Sequence, residues 1–165
     1  MSVETLRDVI VGNMASAETA AKLEMLFRAD APRLWRSLLL FTGSRDIADD
    51  AVAEAFAQAL RRGDAIKEPS AWIRRVAFQL ARSELQRQRS QVELTDVPLE
   101  MPESVVELRE ALATLSPNQR ASVVLADYAG VSHREIARIL GSTISAVGVH
   151  VYRGRRRLRD LLEEA

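Results

Sequence analysis

Hydrophobic positions recur every three or four residues along most of the chain, which is the spacing of one face of an α-helix. After residue 16 the pattern is broken only by short stretches of turn-forming residues and by a longer interruption from residue 88 to residue 101. We find no credible strand, so we expect an all-α protein. Four helices are predicted before the interruption and four after it: 20–28, 30–41, 46–62, 70–89, 103–115, 117–129, 132–140 and 144–159.

Local signals mark the helix ends of the N-terminal half. Asp30 followed by Pro32 is typical of an N-cap with an early-turn proline and predicts that a helix begins there. Gly43 is a stop signal, and Asp46 is predicted to cap the next helix. The helix that begins at Pro69 is expected to bury Trp72, Ile73, Val76, Ala77 and Leu80 and to expose Arg74, Arg75, Gln79, Arg82 and Ser83.

Residues 131–160 predict two helices joined by a tight turn. Ser132 and Glu135 have the spacing of a capping box, Gly141 stands where a left-handed residue ends a helix, and Thr143 can cap the next helix. Two helices joined by a short turn containing glycine form a helix-turn-helix. The second helix ends in clustered arginines, which favour a DNA reader over an ordinary helical hairpin: Arg153, Arg155, Arg156, Arg157 and Arg159.

Two further patterns complete the C-terminal half. Ser116, Pro117 and Gln119 form a second start signal, with serine at the cap, proline at the first helical position and glutamine three residues on. In the last helix an apolar series recurs at helical spacing and is expected to face inward: Ile144, Val147, Val151 and Tyr152.

The charge is unevenly distributed although the formal net charge is zero. Residues 61–89 carry a net charge of +5 and residues 132–159 a net charge of +6, whereas residues 90–110 between them carry −5. Screening acts over a Debye length of roughly 8 Å, so DNA responds to the local charge and not to the total. Two basic regions separated by an acidic connector therefore remain compatible with nucleic-acid binding.

Composition argues against several other classes of function. The chain has no cysteine, and its two histidines, His133 and His150, have no ligand cluster beside them, so no metal site and no cofactor is expected. We find no nucleophile–base pair and no glycine-rich phosphate loop, so no enzymatic activity is predicted. The first residues lack the pattern of a signal peptide, and the longest strongly apolar run, residues 38–41, is too short to cross a bilayer. A cytoplasmic location without membrane insertion is expected.

Three sequence blocks together resemble the extracytoplasmic-function sigma factors of the sigma-70 superfamily. They are GSRDIADDAVAEAFAQAL, EPSAWIRRVAFQLARSEL and LSPNQRASVVLADYAGVSHREIARILGSTISAVGVHVYRGRRRL. The blocks occur in the family's order, and the resemblance covers all but about the first twenty residues. It implies a factor that binds core RNA polymerase and directs promoter recognition, DNA melting and transcription initiation, commonly under the control of an anti-sigma protein.

The resemblance also implies which residues contact each partner. The first block would dock on the coiled coil of the polymerase's largest subunit through Asp46, Asp49, Asp50, Val52, Glu54 and Phe56. The second would hold the melted −10 element through Arg61, Arg62, Lys67, Arg74, Arg75, Gln79 and Arg82. The third would bind the −35 element through Arg134, Ser145, Ala146, Val149, His150, Arg153, Arg155 and Arg156.

The predicted organisation is two small helical domains joined by an acidic flexible linker. Residues 1–16 form an N-terminal extension with one marginal amphipathic helix, and residues 17–89 a sigma-2-like domain. Residues 90–103 form the linker, and residues 104–165 a sigma-4-like domain of four helices that contains the helix-turn-helix. A linker of this length lets two weak DNA readers act together through effective concentration.

Two other functions remain open from the residues alone. A free-standing transcriptional regulator could use the same helix-turn-helix, and it would bind a palindromic operator as a dimer. A pure interaction module would bind polymerase or another protein without contacting DNA.

Overall fold

The structure, a computed structural model, describes residues 15–91 and 103–164, and in these ranges it is helical without strands. The predicted all-α class is confirmed for this part of the chain. Within it, no helix combines the length and apolar character that a bilayer crossing needs. The marginal helix within residues 1–16 and most of the predicted linker lie outside the described residues. The helices are α1 (Ala17–Thr42), α2 (Arg45–Arg62), α3 (Pro69–Gln91), α4 (Glu103–Ala113), α5 (Pro117–Val123), α6 (His133–Leu140) and α7 (Ile144–Glu164).

The helix α1 is continuous through Asp30 and Pro32, so the predicted helix boundary at these residues is wrong. A proline inside a helix leaves the carbonyl four residues earlier, here that of Arg28, without its usual donor. Arg28 and Pro32 are both exposed, so water can bond that carbonyl. Leu23 and Leu34 are buried on either side of the proline, and their packing holds the helix across it.

The N-cap of α2 lies two residues earlier than the sequence pattern predicts. Its N-cap is Ser44, whose hydroxyl accepts a bond from the backbone N–H of Ile47. Asp46 therefore lies in the first turn and is not the cap, although its charge still suits the positive end of the helix dipole. The predicted stop at Gly43 is confirmed, because this residue ends α1 with a left-handed φ of 71°.

The buried face of α3 coincides only partly with the predicted one, because Ile73 and Ala77 are buried as predicted but other predicted positions are not. Trp72, Val76 and Leu80 are only half-buried, whereas Phe78 is 1% exposed and stacks on Phe41 with 5.7 Å between ring centroids. This helix packs on α1 and α2 and also on α6. Its buried face therefore includes positions that packing on α1 and α2 alone would leave in solvent. The buried positions are Ile73, Ala77, Phe78, Ala81 and Leu85.

The helix α5 begins at the predicted capping box and ends in a wider turn. The Ser116 hydroxyl accepts from the backbone of Gln119, and the Gln119 side chain accepts from the backbone of Ser116. The chain then continues through a π turn at Val124–Tyr128, in which the N–H of Ala129 bonds the carbonyl of Val124 at 3.0 Å. The predicted single helix over residues 117–129 is therefore an α-helix followed by one turn of π-helix.

The helices α6 and α7 form the predicted helix-turn-helix. The Ser132 hydroxyl accepts from the backbone of Glu135 at 3.3 Å, while the Glu135 carboxylate accepts from Arg138 at 3.3 Å. Gly141 ends α6 with a φ of 60°. The Thr143 hydroxyl accepts from the N–H of Ala146 at 3.1 Å, so the predicted cap of α7 is confirmed.

Close packing on α5 fixes the position of α7. Gly154 is buried, and a Cβ built on it would lie 2.6 Å from a methyl carbon of Val123. Real Cβ atoms do not approach other carbons this closely, so a glycine is required for the two helices to meet at their present distance. Val147 and Val151 are also buried on this side of α7.

The two halves of the molecule pack against each other, and we refer to the contact between residues 15–91 and residues 103–164 as the seam. Across it α3 contacts α6, and α1 contacts the π turn and the helices α4 and α5. One apolar cluster extends through both halves and includes Leu34, Phe41 and Phe78 on one side and Leu125, Ile136 and Leu140 on the other.

Candidate nucleic-acid and polymerase interfaces

The helix α7 has one face in the core and the opposite face in solvent. Val147, Val151 and Gly154 are buried. With 3.6 residues per turn, the positions opposite to them fall on one exposed stripe, which we call the α7 strip. Its members are Ser145, Val149, Tyr152 and Arg156.

Tyr152 belongs to this strip and not to the core, so its predicted inward orientation is wrong. Its side chain is 66% exposed, compared with 45% for Val149. Ile144, also predicted to face inward, is 50% exposed. The sequence did contain a usable signal, because Tyr152 follows Ser145 by seven residues, which is close to two full helical turns.

The other predicted −35 residues border the α7 strip. Ala146 and His150 are half-buried at its edge, and Arg153 is exposed. Arg134 is exposed in the first turn of α6. The helix-turn-helix thus presents an apolar and hydroxyl-bearing stripe with guanidinium groups at its border and at its C-terminal end.

Arg155 differs from the other arginines of α7 because it is paired within the protein. Its Nε donates to Oδ2 of Asp127 at 3.0 Å, and its Nη2 donates to Oδ1 of the same carboxylate. The hydrogen bond and the charge of Asp127 raise the pKa of Arg155 further above its already high ordinary value. This bidentate pair connects α7 to the π turn, so Arg155 has an internal role that the sequence did not reveal.

The predicted −10 residues lie on and around α3. Lys67 and Gln79 are exposed, and Arg75 is half-buried. The guanidinium of Arg62 lies over the ring of Trp72, 5.7 Å from its centroid, a cation–π arrangement. Trp72 is half-buried, so its ring supports Arg62 in addition to contacting the core.

Two arginines of α3 point toward the seam. Arg74 is half-buried and lines a cavity of about 160 Å³. Arg82, predicted to face solvent, instead donates to the carbonyl of Leu140 at 2.9 Å and to Oδ1 of Asn118 at 3.1 Å. In this arrangement Arg82 is engaged by the C-terminal half, so the prediction of a free outward side chain is wrong.

The acidic face of α2 is exposed, and contacts within the protein orient one of its carboxylates. Asp46, Asp49 and Asp50 all face solvent. The indole N–H of Trp35 donates to Oδ1 of Asp49 at 2.6 Å, and the guanidinium of Arg45 lies 5.7 Å from the centroid of the Trp35 ring. These contacts fix the orientation of one carboxylate on a face that is otherwise free to meet a cationic partner.

Two residues predicted for polymerase contact are instead part of the core. Val52 and Phe56 are each 7% exposed, and Phe56 meets Phe27 edge to face with 5.0 Å between ring centroids. They cannot offer a large contact surface to a partner in this arrangement. Their role is to hold the exposed acidic face of α2 in place.

Glu54 and Arg61 were predicted to contact different partners, but they contact each other. Arg61 Nη2 lies 2.7 Å from Oε1 of Glu54, on an exposed surface. Hydrogen bonds from Gln58 and from Arg61 lower the pKa of Glu54. The residues predicted to contact polymerase and those predicted to contact DNA are therefore adjacent along α2.

Comparison with protein families assigns both halves of the chain. Residues 26–91 match the family model described as sigma-70 region 2, and residues 106–158 match the one described as sigma-70, region 4. The first match contains α2 and α3, and the second contains α6 and the part of α7 up to residue 158.

Several curated proteins with similar sequences are named as RNA polymerase sigma factors. The chain is 31% identical over 166 residues to the ECF RNA polymerase sigma factor SigL of Mycobacterium tuberculosis, covering 91% of this chain and 94% of SigL. It is 31% identical over 157 residues to the RNA polymerase sigma factor CarQ of Myxococcus xanthus, covering 86% and 89%. With SigE of Mycolicibacterium smegmatis the identity is 28% over 155 residues, and the chain spans only 60% of that protein.

Solved structures show the same fold. The sigma factor RpoE, solved in complex with the anti-sigma factor NepR from Bartonella quintana, aligns with a TM-score of 0.76 at 22% identity, covering 86% of this chain and 97% of RpoE. CnrH, solved with the cytosolic domain of CnrY, aligns with a TM-score of 0.68 at 22% identity, covering 96% of this chain and 95% of CnrH.

The fold and the two matched regions define a sigma-70 type of initiation factor. The chain belongs to the ECF sigma factors of the sigma-70 family, the factors that bind RNA polymerase and direct initiation at specific promoters.

Proposed function

We propose that the α7 strip reads the −35 element of the promoter in the major groove. The observation that supports this proposal is the division of α7 into a buried face and an exposed stripe bordered by arginines. An α-helix fits the major groove, where apolar side chains can contact the thymine methyl group. Val149 and the ring of Tyr152 supply such contacts, and the hydroxyl of Ser145 can bond a base edge.

The arginines of the helix-turn-helix are proposed to hold phosphates. Arg134, Arg153 and Arg156 are exposed and suit this role, because phosphate contacts fix the register of a reader without specifying sequence. Arg155 is proposed to position α7 through Asp127 and to add its charge to the local field. Ala146 and His150, half-buried at the edge of the strip, are proposed to make peripheral contacts.

The region around α3 is proposed to hold the melted −10 element as a single strand. Single-strand binding combines a positive groove with pockets or aromatic surfaces for the bases. Arg61, Arg62 and Lys67 precede α3, and Arg75 and Gln79 lie one turn apart along it. Arg74 and Arg82 belong to the same proposed region, although Arg82 bonds the C-terminal half in the described arrangement.

The exposed acidic face of α2 is proposed to dock on the coiled coil of the polymerase's largest subunit. Asp46, Asp49 and Asp50 supply the charge, with Glu54 at the far end of the face. Charge complementarity of this kind raises the association rate and selects the partner. Val52 and Phe56 support the face from below and are not proposed as direct contacts.

We infer that the protein works in the cytoplasm, where polymerase and promoters are found, and that it has no catalytic activity of its own. An anti-sigma protein is proposed as a further partner, as RpoE and CnrH were solved with partner proteins. Co-purification of a partner with the tagged chain from its native cell tests this proposal, and recovery of the chain with polymerase alone would contradict it.

Run-off transcription tests the assignment of the promoter-reading residues. Core polymerase alone should not initiate at specific sites on genomic fragments, and adding the chain should create mapped start sites with a shared −35 sequence. Val149→Ala should relax the preference at one position of that sequence, because a contact to a thymine methyl group is lost. An unchanged preference would remove Val149 from base reading.

The same experiment separates the alternative functions. A free-standing operator-binding regulator would bind DNA as a dimer without polymerase and would create no start site. A pure interaction module would bind polymerase without changing its promoter choice. The match of residues 26–91 to sigma-70 region 2 disfavours the free-standing regulator, because that function does not use the region.

A further inference from the structure

Asp127 is an acidic residue that contacts the helix proposed to read DNA. It is the exposed residue of the π turn Val124–Tyr128, whose other members are buried or half-buried. Turns of this wider type occur frequently at functional sites. Here the turn places a carboxylate on the surface, within hydrogen-bonding distance of α7.

The contact is made with a guanidinium beside the α7 strip. Arg155 follows Tyr152 by three residues, so it lies about 60° around the helix from that ring. Two of its nitrogens donate to the two carboxylate oxygens of Asp127, the Nε bond measuring 3.0 Å. A paired bond of this kind fixes the direction of the guanidinium plane as well as its position.

The stability of the fold does not explain why a carboxylate occupies this position. The side chains of Arg155 and Asp127 are 54% and 41% exposed, and ion pairs between exposed side chains contribute little to the free energy of unfolding. A carboxylate next to the arginine cluster of α7 also repels phosphate. Asp127 therefore lowers the attraction for DNA and adds little stability, so its effect has to be judged on selectivity.

Sequence-independent binding depends on the number of phosphates that a protein neutralises. When the helix lies on arbitrary DNA, it can shift until a free arginine meets a phosphate. Arg155 is already neutralised, and a phosphate that takes it leaves Asp127 unpaired beside the DNA. At a promoter, base contacts made by the α7 strip carry the sequence information, and these contacts do not use Arg155.

We infer that Asp127 is a specificity-determining residue, which holds Arg155 away from phosphate and so suppresses sequence-independent binding by the helix-turn-helix. The pair also braces α7 against the π turn, so the α7 strip keeps one orientation. This inference rests on the proposed −35 role of the α7 strip.

Binding of the full chain to a labelled duplex of random sequence tests the suppression directly. Asp127→Asn keeps the size of the side chain and removes its charge. In fluorescence anisotropy at low salt, this variant should bind the duplex about threefold to tenfold more tightly than the wild-type chain, because one more guanidinium is free for phosphate. Its slope of log K against log salt concentration should steepen by about one unit.

Two further variants separate the loss of the pair from the loss of a charge. Glu110→Gln removes the same charge from an exposed position of α4, and its salt slope should equal that of the wild-type chain. Adding Arg155→Gln to Asp127→Asn should abolish both the added affinity and the added slope. Wild-type affinity and slope in Asp127→Asn would overturn the inference, and so would a double variant that binds as tightly as the single one.

Run-off transcription by the holoenzyme tests selectivity. The two templates are a mapped promoter and the same promoter with one base pair of its −35 element changed. The ratio of transcripts from the intact and the changed template should be at least about threefold lower with Asp127→Asn than with the wild-type chain, because sequence-independent attraction favours both templates equally. An unchanged ratio would show that Asp127 does not determine specificity.

The outcomes of this experiment distinguish the inference from the proposed function. If the start sites directed by the wild-type chain share no −35 sequence, the proposed role of the α7 strip fails. If they share one and Asp127→Asn keeps the wild-type ratio, the role of the strip stands and the inference about Asp127 is wrong.

Discussion

Two glycines of α7 have opposite effects on stability: one is needed for helix packing, and the other weakens the helix. Gly154 lies where the helix contacts α5, and a Cβ there would collide with Val123. Gly148 lies in more open surroundings, where the nearest atom to a Cβ would be Nδ1 of His133 at 4.0 Å. The first glycine is required by packing, whereas the second only weakens the helix.

We therefore expect opposite effects from the two alanine substitutions. Gly154→Ala should lower the free energy of unfolding by about 1–3 kcal/mol, the usual cost of overpacking. Gly148→Ala should raise it by up to about 1 kcal/mol, because alanine is the better helix former. Urea unfolding of both variants measures these changes. Equal effects of the same sign would show that the contact with Val123 does not limit the approach of α7.

Arg82 shows what a single sequence cannot reveal at the level of the residue. Its position in α3, on the face opposite the predicted core, gave no sign of a partner. That partner, the carbonyl of Leu140, lies 58 residues away in the sequence. The same holds for Arg155 and Asp127, which are 28 residues apart. Exposure of a charged side chain can be predicted from a helical pattern, but its pairing across the fold cannot.

At the level of the helix, the sequence predicted those features that are determined within a few residues. The capping box at Ser116, the stop at Gly141 and the cap at Thr143 were correct because each is a local hydrogen-bonding pattern. The predictions failed at Pro32 and at Phe78, where tertiary packing determines whether the helix continues and which residues are buried. Packing on either side of Pro32 outweighs one lost hydrogen bond, and the contact with α6 adds Phe78 to the buried face of α3.

The acidic face of α2 leads to a prediction about polymerase binding. Asp50→Arg reverses a charge on the exposed part of this face without touching the core. Its affinity for core polymerase should fall by tenfold or more, because opposite charges at an interface become like charges. Fluorescence titration of the labelled chain with core polymerase measures this change.

The matched control for this prediction is Glu18→Arg, an equal charge reversal on an exposed position of α1. It should leave the affinity for polymerase near the wild-type value, and both variants should unfold at similar urea concentrations. If the two variants bind polymerase equally well, the acidic face of α2 is not the docking surface.

At the scale of the whole molecule, a net charge of zero conceals separate cationic regions. The exposed arginines of α7 lie in its C-terminal part, whereas the acidic face of α2 lies in the N-terminal half of the chain. A molecule arranged in this way can present carboxylates to a protein and guanidinium groups to DNA at the same time. The total charge is therefore a poor guide to the binding partners of this chain.

Salt dependence should reveal the local charge. In promoter binding by the holoenzyme, Arg156→Ala should weaken binding at all promoters and reduce the slope of log K against log salt concentration by about one unit. Arg36→Ala, an exposed position on α1, should leave the slope unchanged. An unaltered slope for Arg156→Ala would mean that this guanidinium does not contact phosphate.

Under the proposed reading role of the α7 strip, the separation of the two faces of α7 also determines how promoter choice can be rewritten. A saturation library over residues 145, 149 and 152 changes only side chains that face solvent, so most of its members should fold. Selection from such a library can therefore yield factors for new −35 sequences that operate beside the parent in one cell. Positions 147, 151 and 154 should tolerate few replacements under the same selection, because their buried side of α7 packs against the rest of the protein.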